Sequence, residues 1–266
     1  MTEHLLLPPS PADDVRVVHG SSAHMGEIQD GAADLIVTSP PYFPTSVETV
    51  LADGSGGASQ EDRDRAIRDT IAYAWSLRPT FAECRRILRP GGWVVLQTRD
   101  VRFDDQLAPV EAVHRGLLES LGLGLYARHA WRPAHVTIAR RRKMESLARR
   151  AGPTAFDMES FLVLRSRGPL RRGTPSPADA ALLTSDVMRT AIGRQRVRHR
   201  WQSPIPVLRA FISAYSVAGD LVVDPFAGGG AVLSAARALG RRAVGYEIDP
   251  EAVAAIRINL CEDRPS

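Results

Sequence analysis

The chain of 266 residues is 44% hydrophobic and 24% charged. This balance is ordinary for a soluble globular protein, and the length allows one α/β domain with an insertion or two small domains. No apolar run approaches the roughly 18–20 residues that span a bilayer, and residues 1–14 lack the basic and long apolar regions of a signal peptide, so we expect a cytoplasmic protein without a membrane partner. Cys84 and Cys261 lack metal-ligand spacing, and the histidines form no ligand-spaced set, so we expect no metal site.

The net charge of +4 hides a strong asymmetry along the chain. Residues 128–201 contain 17 of the 34 Lys and Arg residues but only 5 of the 30 Asp and Glu residues, a net charge of +12 that leaves the remainder at −8. A basic segment on an otherwise acidic protein favours a surface that faces a polyanion.

In chain order, apolar runs and turn residues predict alternating strands and helices. Strands are predicted at 15–20, 34–37, 93–97, 125–131, 160–166, 221–223 and 243–246. Helices are predicted at 23–28, capped by Ser21 and Ser22, at 61–89, which Pro79 kinks or splits, and at 109–121, 205–217, 231–239 and 251–260. Residues 43–60 and 167–204 have little periodicity. The first of these is either a plain linker or a loop that closes over a substrate. The alternation predicts a Rossmann-like α/β fold with a doubly wound, mostly parallel sheet.

The strand at 34–37 leads directly into Ser39-Pro40-Pro41-Tyr42. Each proline fixes its own φ and restricts the residue before it, so we expect a stiff, exposed corner. The Ser39 hydroxyl and the Pro40 carbonyl could together accept hydrogen bonds from one planar amino group, and Tyr42 could stack on a heterocycle. Taken alone, these four residues fit a proline-rich turn after a core strand equally well.

The strand at 221–223 runs into Asp224-Pro225-Phe226-Ala227-Gly228-Gly229-Gly230, and the next strand ends at Glu247-Ile248. Glycines let a ligand approach the backbone closely. Glu247 follows Pro225 by 22 residues, close to the spacing at which an acid binds ribose hydroxyls in dinucleotide folds. Because the turn is not G-x-G-x-x-G, a pyrophosphate cofactor is disfavoured. The pattern indicates a nucleotide-type site at the ends of parallel strands.

These motifs resemble those of the amino-directed DNA methyltransferases. Ser39–Tyr42 resembles the motif IV of that family, which acts on an extrahelical base. Asp224–Gly230 resembles motif I, which binds S-adenosylmethionine, and Glu247 lies in the segment whose acid binds the cofactor ribose. Residues 205–216 resemble the helix before motif I. Phe81–Gly92 resembles a further family segment through Glu83, Arg86, Leu88, Pro90, Gly91 and Gly92.

Two positions depart from the family pattern. Ser21 stands where the family usually has an acid near the adenine. Gly230-Ala231 replaces the usual Gly-Thr, which removes a helix-capping hydroxyl. By the resemblance, the cofactor would be S-adenosylmethionine, bound by Ser21, Asp224, Pro225, Phe226, Ala227, Gly228, Gly230, Glu247 and Ile248.

The order of the motifs resembles that of the beta group of this family, in which the catalytic motif precedes the cofactor motif and a target-recognition region lies between them. The resemblance implies a circularly permuted class I methyltransferase fold. Residues 1–132 would form the catalytic half and 205–266 the cofactor half. Residues 133–204 would form a small basic target-recognition insertion that includes a core strand near 160–166.

The resemblance implies transfer of a methyl group from S-adenosylmethionine to the exocyclic amine of a flipped base in double-stranded DNA. Ser39 at the first corner position resembles the N4-cytosine members more than the N6-adenine members, which mostly carry aspartate. The alternatives are an N6-adenine enzyme, an RNA or small-molecule N-methyltransferase, and a catalytically silent DNA-binding relative. A homodimer and a cognate restriction endonuclease are further partners that the family admits. The residues expected to contact DNA are Arg140, Arg141, Arg142, Lys143, Arg171, Arg172, Arg196 and Arg198.

Overall fold

A computed structural model describes residues 15–47, 59–103, 106–133, 158–190 and 203–262. In these ranges the strands are β1 Val15–His19, β2 Ala33–Thr38, β3 Leu88–Thr98, β4 Val101–Phe103, β5 Gln106–Ala108, β6 Gly124–Pro133, β7 Glu159–Arg165, β8 Val187–Thr190, β9 Leu221–Asp224 and β10 Arg242–Glu247. The helices are α1 Gln60–Ser76, α2 Arg78–Ile87, α3 Val110–Ser120, α4 Pro177–Leu183, α5 Ile205–Tyr215, α6 Ala231–Ala238 and α7 Pro250–Glu262. No described helix is long and apolar enough to cross a membrane.

Eight strands form one sheet in the order β1-β10-β9-β2-β3-β7-β6-β8, and β4 pairs with β5 separately. The first five of the eight strands are mutually parallel, whereas β7 runs antiparallel to both of its neighbours. The sequence prediction of a mostly parallel α/β sheet is therefore confirmed.

The sheet is covered by helices on both faces because its central strands are apolar at successive positions. Leu35 of β2 points to one face, where it packs with α5, α6 and α7 through residues such as Phe211. Ile36 points to the other face and packs with α2 and α3 through residues such as Phe81. This doubly wound arrangement leaves the ends of the parallel strands free to build a site.

The helix predicted at 23–28 is wrong, since these residues form turns. The side chains of Glu83 and Arg86 on α2 hold them there. Glu83 accepts from the backbone N–H of Met25 at 2.7 Å, and Arg86 donates to the carbonyls of Met25 and Ile28, each at 2.9 Å. These side-chain bonds compete for the backbone groups that a helix would have used.

The helix predicted at 61–89 is two helices that separate at Leu77, with Pro79 in the first turn of α2, where a missing N–H costs nothing. The strand predicted at 93–97 begins earlier, at Leu88. Gly91 lies inside it with a positive φ of 74°, and a Cβ there would fall 2.0 Å from the carbonyl oxygen of Pro169. Only glycine fits so close to that backbone.

The interval 167–204 is more regular than its sequence suggests, because it contains α4 and β8. Helix α4 lies against α5, and the backbone N–H of Gly173 donates to the carbonyl of Ala214. Strand β7 lies between β3 and β6, as the core strand expected near 160–166. Residues 158–190 are thus integrated into the main sheet.

Candidate active site

A cavity of about 560 Å³ opens at the carboxyl ends of β1, β2, β9 and β10, which we call the cavity edge of the sheet. Its wall includes all four residues of the Ser39–Tyr42 corner and most of the glycine-rich turn that follows β9. It also includes Ser21, Glu247 and Ile248. The structure therefore brings the predicted catalytic and cofactor halves together around one space, although 185 positions separate Ser39 from Asp224.

A buried hydrogen bond joins these halves at the floor of the cavity. The hydroxyl of Thr38, the last residue of β2, donates to Oδ1 of Asp224 at 2.8 Å. The same carboxyl oxygen accepts from the backbone N–H of Phe226 at 3.1 Å. Burial raises the pKa of Asp224 to about 7, and the Thr38 hydrogen bond limits that rise.

The corner is less exposed than predicted, which corrects the expectation for Tyr42. Pro41 is exposed and Ser39 half-buried, but Pro40 is buried and Tyr42 is only 7% exposed. The Arg99 guanidinium lies 5.3 Å from the centroid of the Tyr42 ring. Burial and the nearby Glu159 carboxylate raise the pKa of the Tyr42 phenol well above its ordinary value. Arg99 therefore lies over one face of the Tyr42 ring, while Tyr42 remains on the cavity wall, and stacking of a base on it stays a prediction.

The turn after β9 requires its glycines. Gly228 and Gly230 have φ values of 50° and 78°, in the left-handed region that other residues seldom adopt. Gly230 is also the residue before α6, which begins without a side-chain cap. The turn can then lie close to a ligand without side chains in the way.

Glu247 closes this turn against the end of β10. One carboxylate oxygen accepts from the N–H of Gly228 at 2.8 Å, and the other accepts from the N–H groups of Ile248 and Asp249 at 2.8 and 2.9 Å. Ile248 follows it on the cavity wall with 70% of its surface exposed, an unusual position for a large apolar side chain. A carboxylate beside an open apolar face suits a ribose and a purine ring.

Ser21 lies on the cavity wall, where its hydroxyl accepts from the N–H of Ala23 at 3.2 Å. The neighbouring Ser22 is buried, with its hydroxyl 3.5 Å from that of Thr80. Ser21 thus stands where an acid was expected, and its hydroxyl oxygen already accepts a hydrogen bond within its own turn.

Sequence reasoning missed the wall that the α1–α2 junction contributes. Four residues there line the cavity: Tyr73, Ser76, Leu77 and Thr80. Their spacing matches an ordinary amphipathic helix, and the one available signal was the helix break that Pro79 introduces. Ser203, just before α5, also lines the cavity without a motif to mark it.

A second missed group lies behind the corner. Glu159, the first residue of β7, accepts from the Tyr42 phenol at 3.0 Å and from the side-chain amide of Gln97. Gln97 in turn accepts from Ser203, and Arg99 lies 3.9 Å from the other oxygen of Glu159. A buried glutamine at the end of an apolar strand was the available signal, since such a group needs partners.

Two of the arginines expected to contact DNA lie at the opposite edge of the sheet, where β2 and β9 begin. Arg171 pairs with Asp34 at 3.2 Å and with Asp220 at 2.7 Å. Arg172 lies over the rings of Trp93 and Tyr126. The structure therefore does not bring these two arginines to the cavity. The other predicted DNA contacts lie outside the described residues: Arg140, Arg141, Arg142, Lys143, Arg196 and Arg198.

Within the described ranges, no group of three or more His, Cys, Asp or Glu side chains is placed to hold a metal ion. The glycine turn, the Glu247 carboxylate and the open face of Ile248 instead fit an adenosine-bearing cofactor. Those features and the size of the cavity accommodate S-adenosylmethionine.

A family model described as DNA methylase matches residues 182–257. The chain is 26% identical over 263 residues to the type II methyltransferase M.MthZI of Methanothermobacter thermautotrophicus, covering 88% of this chain and 73% of that protein. It is 24% identical over 250 residues to the DNA adenine methyltransferase YhdJ of Escherichia coli K12, covering 88% and 79%.

Two solved structures resemble the fold closely. TTHA0409 of Thermus thermophilus, complexed with S-adenosyl-L-methionine, superposes with a TM-score of 0.70 at 21% identity, covering 95% of each chain. The cytosine-N4-specific PvuII DNA methyltransferase gives 0.70 at 14% identity, covering 94% of this chain and 87% of that one. The fold is that of the S-adenosylmethionine-dependent methyltransferases, and the matches support that cofactor.

Proposed function

We propose that this chain, an amino-methyltransferase of the N4-cytosine or N6-adenine type, transfers the methyl group of S-adenosylmethionine to N4 of a flipped cytosine in DNA. The observation that carries the proposal is the shared cavity. Ser39, Pro40 and the glycine turn after Asp224 line one space, and the Thr38–Asp224 hydrogen bond joins the two halves. Two substrates bound in one cavity can react without a diffusional search.

The cofactor half would hold S-adenosylmethionine through its backbone and one acid. Glu247 would accept from the ribose, Ile248 would cover the adenine, and the Gly228 turn would admit the chain that carries the sulfonium. When bound, the cofactor supplies an electrophilic methyl group on sulfur. Asp224, at the floor, lies where a carboxylate can balance a positive charge.

The corner would hold the target amine. The Ser39 hydroxyl oxygen and the Pro40 carbonyl would accept its two hydrogens, which fixes the direction of the nitrogen lone pair. Stacking on the extruded base would use the aromatic residues that line the cavity, Tyr42, Phe43 and Tyr73. Extrusion costs a few kcal/mol, and contacts in the pocket offset that cost.

Duplex DNA as the substrate is supported by where the basic segments attach. Strand β6 ends beside the start of β7, with Trp131 paired to Glu159, and β8 ends at the same cavity edge. The sequence intervals 134–157 and 191–202 follow these strand ends in the chain and contain 10 of the 34 Lys and Arg residues. The order of the motifs, catalytic before cofactor, also supports a beta-group enzyme.

N6 of adenine is the second candidate for the target. It is favoured by the similarity to YhdJ, which is named as an adenine methyltransferase, whereas the PvuII enzyme is named as cytosine-specific. Ser39 at the first corner position is the observation that favours cytosine here.

The test uses purified protein, labelled S-adenosylmethionine and mixed-sequence duplex DNA, digested to nucleosides and analysed by mass spectrometry. We expect N4-methylcytosine, with no product from the Ser39→Ala control. N6-methyladenine would keep the enzyme class and change the base. Intact cofactor binding without any methylated nucleoside would contradict the proposal and leave RNA or a small molecule as the substrate.

Salt dependence separates duplex DNA from a small neutral substrate. Each phosphate contact should contribute a slope of about −0.9 to log K against log salt concentration. A fluorescence-anisotropy titration of labelled duplex at several salt concentrations measures the slope. A flat line would contradict a DNA substrate.

A further inference from the structure

The hydrogen bonds behind the catalytic corner form a chain that ends on Glu159. The Ser39 hydroxyl lies 3.3 Å from the Tyr42 hydroxyl, and the Tyr42 hydroxyl donates to Oε2 of Glu159 at 3.0 Å. Glu159 lies 117 positions after Tyr42 and is absent from the cavity wall. Its hydrogen bond to Tyr42 links it to the corner.

Donor chemistry sets the direction of this chain. An ionised carboxylate can only accept, so the single hydrogen of the Tyr42 phenol is committed to Glu159. The Tyr42 oxygen is then left as an acceptor for its other neighbour. Within the Ser39–Tyr42 pair, the Ser39 hydroxyl is then the group with a hydrogen left to donate.

We propose that Glu159 is a positioning residue that makes Ser39 an acceptor towards the target amine. With its hydrogen committed to Tyr42, the Ser39 oxygen presents its lone pairs to the cavity, as an amino group requires. Successive hydrogen bonds polarise one another, so the carboxylate also increases the negative character of the Ser39 oxygen. The serine of the corner carries no charge, and the negative charge of the Glu159 carboxylate acts on it through Tyr42. This role rests on the proposed function of the corner.

The surroundings of Glu159 hold its side chain in this position. Gln97 donates to the same oxygen that accepts from Tyr42, and Ser203 donates to the carbonyl of Gln97, which orients the amide. The carboxylate is 12% exposed, and Arg99 lies 3.9 Å from its other oxygen. Since Gln97 is oriented to donate, Glu159 has two neutral donors on one oxygen and a cation near the other.

Neutron diffraction on deuterium-exchanged crystals of the full chain tests the direction without any need for turnover. We expect the deuterium of Tyr42 on the line to Glu159 and that of Ser39 on the line to Tyr42. A Tyr42 deuterium aimed at Ser39 would overturn the proposal. This readout holds whatever the substrate proves to be, so it separates the positioning role from the proposed function.

Kinetics of a double-mutant cycle give the functional test. Glu159→Gln keeps the shape but adds a donor that can reverse the chain, so we expect kcat to fall about tenfold while the cofactor Kd changes less than about twofold. Tyr42→Phe removes the hydroxyl that links Ser39 to Glu159. In that background, Glu159→Gln should therefore have no further effect on kcat.

The matched control is Glu111→Gln. Glu111 accepts from Ser160, the neighbour of Glu159 on β7, at 2.7 Å, and it pairs with Arg128, so it resembles Glu159 without touching the corner. We expect its kcat to match the unsubstituted protein. An equal loss from Glu159→Gln in both backgrounds would mean that Glu159 merely supports the fold, and the proposal would fall. An unsubstituted protein that methylates no DNA would instead contradict the proposed function.

Discussion

Four acidic side chains are buried or half-buried at the two edges of the sheet and accept from backbone N–H groups, but the two at the opposite edge also pair with arginine. At the opposite edge, Asp34 and Asp220 meet the guanidinium of Arg171, and Asp34 also meets Arg89 at 2.6 Å. At the cavity edge, Asp224 and Glu247 are held by a hydroxyl and by backbone N–H groups. Arginine pairing makes the first set structural, because the charges are already neutralised. The carboxyl groups of Asp224 and Glu247 can still carry a charge or bind a proton when a ligand is present. Substitutions at the two edges should therefore have different effects.

The largest expected effect comes from Ser39→Ala at the cavity edge. Removing the hydroxyl leaves one acceptor for the target amine, and we expect turnover to fall at least about 100-fold. The cofactor Kd should change little, since Ser39 belongs to the other half of the cavity. Single-turnover methylation and calorimetric titration measure the two quantities, and comparable activity in the variant would refute the role.

At the opposite edge, Arg171→Ala should affect stability rather than chemistry. It leaves Asp34 and Asp220 without their shared cation, which we expect to lower the free energy of unfolding by about 2 kcal/mol. The exposed Arg209→Ala is the control, expected to stay within about 0.5 kcal/mol. Urea unfolding measures both. A variant of unchanged stability with weakened DNA affinity would return Arg171 to the DNA-contact set.

Asp224→Asn tests the raised pKa at the cavity edge. Burial raises the pKa of Asp224 from 3.8 to about 7, so the folded state binds a proton more tightly than the unfolded state. This carboxyl therefore favours folding most below about pH 4, and the contribution declines as the pH rises to about 7. Asn resembles the protonated acid and can still accept from Thr38. Its stability relative to the unsubstituted protein should increase by about 2 kcal/mol between pH 5 and pH 8. Thermal unfolding at the two pH values checks this, and a constant difference would argue against the shift.

The smallest effect is expected at Glu83, whose interaction with Arg86 holds the turns that carry Ser21. The hydrogen bonds from Arg86 lower the pKa of Glu83 from 4.5 to about 2. A lowered carboxyl pKa contributes stability above about pH 4.5 that is lost as the pH falls towards 2. Glu83→Gln should cost about 1 kcal/mol at pH 7 and nothing near pH 2. Chemical unfolding at both pH values provides the measurement, and an equal cost at both would exclude the ion pair as the cause.

Local patterns in the sequence determined the parts of the site that lie within one strand and the turn after it. Asp224 to Gly230 and the Ser39 corner were recognised because each combines an apolar run with residues of restricted or unusual backbone freedom. Their convergence followed from the rule that parallel strands end at one edge. The mostly parallel fold was predictable for the same reason.

The tertiary structure alone decided how exposed each side chain is and which distant residues meet it. The sequence predicted an exposed corner, but Tyr42 is 7% exposed because Glu159 of β7 and Arg99, the residue after β3, lie against it. Arg171 looked like part of a cationic surface until its pairing with Asp34 and Asp220 placed it at the opposite edge. Burial and charge pairing depend on contacts between residues far apart in the chain, and a local sequence pattern does not reveal those contacts.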